Sequence, residues 1–188
     1  MATSTYTTQK SLLLNNLMNY YKETDKIEQM LRIINGEAHI SLRIVDWFTT
    51  NYAKKHYTVY NLSSKDGLPA KRFKVYLDYK LRLRSYSKER FDPFCRWERI
   101  TIPYKENKSI QTTLGQLNFF KWAFENQVIA YIESNYADIE KDMNSRNSTA
   151  KRKPTTSEQK TRKRREELSI SAVKTVKKED VEIVIKFD

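Results

Sequence analysis

The sequence predicts an α+β fold: N-terminal helices, a small antiparallel sheet, a C-terminal helical segment, and then a disordered basic tail. Three observations carry that prediction. Apolar residues recur at helical spacing through residues 9–53 and again through 113–143. Between them, residues 57–104 switch to β-branched, aromatic and alternating runs. From 144 to 180 there is no aromatic residue and little apolar content, too little to offset the entropy of ordering. The expected organisation is a frayed N-terminus at 1–8, a single α+β domain at 9–143, a disordered basic tail at 144–180 and a strand-like peptide at 181–188.

Each element has a local reason. In "QKSLLLNNLMNYY", Leu13, Leu17 and Tyr20 fall on one helical face. In "TDKIEQMLRIING", Thr24 is a cap, Ile27, Met30, Leu31 and Ile34 form a stripe, and Asn35-Gly36 supplies a stop. In "SLRIVDWFTTNYAKK", Ser41 caps a helix with Ile44, Trp47, Phe48 and Tyr52 on one side. "YTVYNL" at 57–62 reads as a strand, and Asp66-Gly67 marks a turn in the loop that follows. In "FKVYLDYKLRL" at 73–83, Phe73, Val75, Leu77, Tyr79, Leu81 and Leu83 alternate with polar residues, which predicts a strand with one buried face. "ERITIPY" at 98–104 completes an expected three-stranded antiparallel sheet. The long apolar run after "TTLGQL" opens with Thr113 and Gln116 at capping-box spacing. Leu117, Phe120, Phe124, Val128, Tyr131 and Ile132 follow on one face, and Asn126 marks a break into two helices.

Composition excludes several functions. One cysteine cannot close an internal disulfide, which fits a reducing compartment. The first residues lack the charged-then-apolar build of a secretion signal, and no run is long enough for a transmembrane helix, so secretion and membrane insertion are not expected. His39, His56 and Cys95 are the only imidazole or thiol ligands, and none has zinc-site spacing. With 3 glycines, neither a phosphate-binding loop nor a dinucleotide fingerprint can be written. Cys95 has basic neighbours that could lower its pKa if close in space, and His56 is the nearest candidate base in sequence, but the plainer reading is a small buried hydrophobe. No cofactor and no catalysis are expected. A carboxylate-only Mg²⁺ site drawn from Asp78, Asp92 and Glu98 stays open, and with it a metal-dependent nuclease using Asp92 or Glu98. Carboxylates among so many arginines read first as ion-pair partners.

Charge points elsewhere. The net charge is +12, and its distribution is uneven. Residues 54–108 carry 15 basic and 6 acidic side chains, and residues 151–188 carry 12 and 7, whereas 1–53 are neutral and 109–150 slightly acidic. Clustered cations favour a polyanionic partner. Three sets of residues are candidates for nucleic-acid contact. Lys74, Lys80, Arg82 and Arg84 would line the outer face of the 73–83 strand together with Tyr76, a basic strip with a ring on it. Lys88, Arg90, Arg96 and Arg99 lie among the aromatics of "YSKERFDPFCRWERITIPY". In the tail, Lys151, Arg152, Lys153, Arg162, Lys163, Arg164 and Arg165 dominate 151–165. The plainer reading of the second set is structural, because Phe91, Phe94 and Trp97 are large enough to belong in the core and arginine stems can cover such rings.

The tail carries short motifs as well. "KRKP" and "KTRKRR" look like a bipartite nuclear localisation signal. Val181, Ile183, Val184 and Ile185 form a β-prone run after Glu179 and Asp180, which resembles a SUMO-interacting motif able to add to a partner's sheet edge. "VKKE" likewise looks like a SUMO attachment site at Lys177. The same peptide could instead fold back as a further strand of the domain's own sheet.

Three blocks, "INGEAHISLRIVDWFTTNYAKK", "YLDYKLRLRSYSKERFDPFCRWERI" and "TTLGQLNFFKWAFENQVIAYI", resemble small basic uncharacterised proteins of nucleocytoplasmic large DNA viruses, the giant viruses, over about residues 30–132. The resemblance implies a viral protein acting in the host nucleus, in a cytoplasmic virus factory or in the virion, and it assigns no functional residue. The expected function is therefore non-enzymatic nucleic-acid binding, electrostatic and largely independent of sequence, in genome packaging or viral transcription, with DNA favoured over RNA. The alternative is a protein–protein adaptor or minor virion component that docks through its C-terminal peptide.

Overall fold

A computed structural model of the chain describes residues 8–22, 25–62, 71–104, 108–151 and 177–180. Two helices open the described part of the chain, α1 (Gln9–Lys22) and α2 (Lys26–Ile34). The stop expected at Asn35-Gly36 is present: Asn35 is the C-cap of α2, and Gly36 takes φ 74°. Thr24 lies outside the described residues, and Asp25 stands at the N-cap. Ser41 caps α3 (Leu42–Trp47) as expected, its hydroxyl accepting the Ile44 N–H at 3.3 Å.

Helix α3 does not end at Trp47. It widens into a π-helical turn, Phe48–Tyr52, before closing as α4 (Ala53–Lys55). Thr49 and Thr50 account for the widening. Their hydroxyls donate to the carbonyls of Val45 and Asp46, at 2.7–3.2 Å, and so occupy acceptors near the inserted turn.

The expected three-stranded sheet is instead two sheets. Strand β1 (Val59–Leu62) pairs antiparallel with β2 (Lys71–Lys74), and Asp66-Gly67 falls outside the described residues. Strand β3 (Arg99–Pro103) pairs with β4 (Lys108–Thr113), and β4 pairs with β5 (Lys177–Asp180), all antiparallel. The first and last expected strands are thus present, but the middle one is not. From Val75 the chain is helical, as α5 (Val75–Arg90), with a break at Ser87, whose φ is 62°. The alternating pattern was compatible with both periods, since Val75, Tyr79, Leu83 and Tyr86 also repeat at helical spacing. Packing decides between them. Val75 and Tyr79 are buried, and Asp78 accepts the indole N–H of Trp122 at 2.6 Å. A strand face would have buried Leu77 and Leu81, which instead stand 55% and 54% exposed.

Helix α6 (Leu114–Glu125) is the centre of the molecule. It is buried nearly all round, from Leu114 through Phe120 and again at Trp122 and Ala123. Thr113 caps it, accepting the Gln116 N–H at 3.2 Å, and the Tyr21 hydroxyl of α1 donates to the Leu117 carbonyl at 2.8 Å. The break at Asn126 is present, with Gln127 left-handed at φ 54° before α7 (Val128–Ser134). A second break at Asn135 separates α7 from α8 (Tyr136–Lys151). Both asparagines donate from Nδ2 to the carbonyl four residues back, at 2.8 Å. Composition placed the end of the domain at 143, but α8 runs on to Lys151, and Lys177–Asp180 forms β5, so both intrude on the stretch expected to be disordered. A helix needs only its inner stripe to be apolar, and Ile139 and Met143 supply that for α8.

Candidate nucleic-acid interface

The strand misreading dissolves the expected basic strip. On a helix, Lys80 and Arg84 share the outward face of α5 with Leu77 and Leu81. Arg82 points to another side and pairs with Asp78 at 3.7 Å. Lys74 and Tyr76 flank the start of the helix and belong to a different grouping.

That grouping is a groove of about 540 Å³ lined by the end of α4, the β1–β2 hairpin and the first turn of α5. Its chemistry comes from Lys54, Tyr57, Arg72, Lys74, Tyr76 and Leu77. The hairpin explains the two β2 cations. In the register Asn61↔Arg72, Tyr60↔Phe73 and Val59↔Lys74, alternate residues face opposite sides. Phe73 turns inward, its ring 6.2 Å from that of Trp122, so Arg72 and Lys74 both turn outward. The hairpin is held by Tyr60, which stacks on Tyr131 at 4.8 Å and donates its hydroxyl to the Asn126 carbonyl at 2.7 Å. The Lys54 ammonium lies 5.7 Å from the centroid of the Tyr76 ring. The other side of α4 is anchored on α8: Asp142 pairs with Lys55, accepts the Trp47 indole N–H at 3.1 Å, and lies 3.8 Å from His56. Burial alone would raise the Asp142 carboxyl, but the hydrogen bonds from Lys55 and Trp47, with the charges of Lys55 and His56, bring it below its ordinary value.

The segment "YSKERFDPFCRWERITIPY" begins in the last turns of α5, at the opposite end of the helix, where Ser87 breaks the helical path at φ 62°. Here the structural reading prevails for most residues. Phe91 is fully buried among Tyr79, Phe119 and Trp122, with ring centroids 5.5–6.0 Å away. Three polar side chains at the start of α6 tie the segment down. Asn118 donates to the Arg90 carbonyl at 2.8 Å, Gln116 to the Pro93 carbonyl at 3.3 Å, and Thr113 to the Cys95 carbonyl at 3.3 Å. Cys95 is buried, and its thiol contacts the carbonyls of Glu89 and Trp97 at 3.2 and 2.9 Å. It sits so close to α6 that a Cβ on Gly115 would lie 2.7 Å from its own.

The three carboxylates considered for metal chemistry have structural partners, Asp78 those already described. Asp92 accepts the Phe94 N–H at 2.8 Å, and Glu98 pairs with Lys10. Burial raises the Asp92 carboxyl, against the Phe94 N–H and the charge of Lys88. Burial, with repulsion from Asp92, lifts Asp46 from 3.8 to about 6, again opposed by Lys88. Lys88 is itself exposed, near enough to these two acids for its charge to act on both. Arg90 is half-buried, while Arg96 and Arg99 are exposed on either side of Trp97, itself 77% exposed. Among the described residues no group of three or more His, Cys, Asp or Glu side chains is placed to hold a metal ion, and no helix is long and apolar enough to cross a membrane.

Of the tail residues, Lys151 ends α8, while Arg152, Lys153, Arg162, Lys163, Arg164 and Arg165 lie outside the described residues. So do Val181, Ile183, Val184 and Ile185. Sequence reasoning missed Lys54, Tyr57 and Arg72. The signal that would have found them is the alternation of rings and cations in "YAKKHYTVY", which was read only as a helix end and a strand.

No solved structure matches this chain. The chain is 46% identical over 119 residues to Uncharacterized protein L507 of Acanthamoeba polyphaga mimivirus. The match covers 61% of this chain and 45% of that relative, so the chain spans less than half of the relative's length. The giant-virus setting that the three sequence blocks implied is supported by this relative. A family model matches residues 2–185, nearly the whole chain, and the protein belongs to that family of unknown function, DUF7197.

Proposed function

We propose that this chain is a non-enzymatic nucleic-acid-binding protein of giant viruses, electrostatic and largely indifferent to sequence, that serves genome packaging or viral transcription in the host nucleus, the virus factory or the virion. One observation carries the proposal. Lys54, Arg72 and Lys74 surround a groove whose rim holds a tyrosine that is 88% exposed, in a molecule with a net charge of +12. Cations lining one groove, beside an available ring, are what a nucleic-acid backbone and its bases require. Lys80 and Arg84 extend the positive surface along α5. DNA is the favoured partner over RNA.

The test is a fluorescence-anisotropy titration of the full chain with DNA at two salt concentrations. Reversing the charge at Lys54, Arg72 and Lys74 together should weaken binding at low salt at least about tenfold and lower the salt slope by about 3, since each phosphate contact contributes roughly 0.9. Deleting residues 151–165, which hold eight basic residues and one acidic, should flatten the slope further. Absence of binding to DNA and RNA at low salt would sink the proposal.

One observation favours the adaptor reading. Leu77 and Leu81 occupy the outward face of α5, apolar side chains that phosphate contact does not need. On that reading the acidic, apolar C-terminal peptide and this face both meet protein partners.

A further inference from the structure

The groove has a feature that charge attraction does not explain. Helix α4 ends in a Schellman turn: the Thr58 N–H reaches back to the Ala53 carbonyl at 3.1 Å, and Tyr57 stands between them in the left-handed region at φ 47°. Glycine normally fills that position because a side chain there strains the backbone. Tyrosine is a poor choice for the turn. It is also unused by the core, being the most exposed of the large apolar side chains among the described residues at 88%. The ring is therefore held outward at the groove rim against both backbone preference and burial. The groove's other ring, Tyr76, is half-buried and already accompanied by the Lys54 ammonium.

From this we infer that the groove binds single-stranded nucleic acid in preference to duplex, with Tyr57 stacking on an unpaired base and Lys54, Arg72 and Lys74 meeting the adjoining phosphates. The inference rests on the nucleic-acid reading above and names its substrate class. In a duplex the base faces are stacked on one another, so an outward ring has nothing to pair with. A single strand offers a face at every base, and stacking on it is indifferent to sequence.

The test compares a short labelled single strand with its duplex, titrated with the full chain at one salt concentration. Tyr57→Gly is the informative variant, because glycine relieves the left-handed strain and the protein should melt no lower than wild type. Wild type should prefer the single strand. Tyr57→Gly and Tyr57→Ala should each lose about tenfold in single-strand affinity, roughly the contribution of one stacked base, while duplex affinity stays within about twofold. Tyr57→Phe should keep the wild-type preference. Equal losses on both ligands, or none on the single strand, would overturn the inference while leaving electrostatic binding intact. Failure of wild type to bind either ligand would instead overturn the nucleic-acid reading itself, and this inference with it.

Discussion

The two ends of helix α5 carry stretches of similar basic and aromatic character that are held in different ways. At its start, "YAKKHYTVY" meets "KRFK" to form an open groove with a ring standing in solvent. At its end, "YSKERFDPFCRWERITIPY" has more aromatics and one cation fewer; Arg96, Trp97 and Arg99 are exposed there, yet Phe91 is sealed in the core and the loop is tied to α6 by Thr113, Gln116 and Asn118. Basic-aromatic composition therefore does not define a binding surface. What matters is whether polar side chains from elsewhere hold the backbone inward, as at Arg90, Pro93 and Cys95, or whether a helix cap holds the ring outward, as at Tyr57.

The contrast can be broken most severely at Phe91. Phe91→Ala should cost about 3–5 kcal/mol of stability, whereas Tyr57→Ala should change it by less than about 0.5 kcal/mol. Denaturant titration of both variants checks this, and similar losses would mean that the two ends are not built differently.

Acid response should separate the ends by sign. Asp46, near Asp92 and Lys88 at the far end, titrates at about 6 in the folded chain against 3.8 ordinarily, so the folded state holds its proton more tightly. Its ionisation then lowers stability as pH rises between those values, and the penalty is complete above about 6. Asp46→Asn should therefore stabilise the protein at pH 7 by on the order of 2 kcal/mol and lose that advantage near pH 4. Asp142, at the groove end, is shifted down, so its contribution is present at neutral pH and disappears as pH falls through its folded value. Asp142→Asn should destabilise at pH 7 and approach wild type in acid. Denaturation curves at the two pH values decide the matter; shifts of the same sign would remove the distinction.

A smaller effect probes the ties themselves. Thr113→Ala removes both the cap of α6 and the bond to the Cys95 carbonyl, and should cost about 1 kcal/mol. Amide exchange should accelerate around residues 93–97 and remain unchanged at the β1–β2 hairpin. Faster exchange at both places would show that the loop is not held locally.

Much of the fold was legible in advance, and the reason is range. Ser41 with Ile44, Thr113 with Gln116, and the stops at Asn35-Gly36 and Asn126 are bonds made within four residues, so the letters alone contain them. The α+β class and the outer strands were readable for the same reason. The interface was less so. Lys74 and Tyr76 were picked out, but with the wrong companions, because Lys80, Arg82 and Arg84 were set on a strand face that does not exist.

The sequence by itself determined the helix caps, the concentration of positive charge and the absence of phosphate-loop and zinc-ligand spacings. Only the tertiary structure decided that residues 75–90 are helix and not strand, that Phe91 is sealed while Tyr57 is displayed, and that Lys54 and Arg72 stand beside Lys74. The alternating segment satisfied both periods, and the choice fell to partners far along the chain, above all the Asp78–Trp122 bond and the close passage of Cys95 over Gly115. Burial is a property of such pairs, and no window of neighbouring residues contains them.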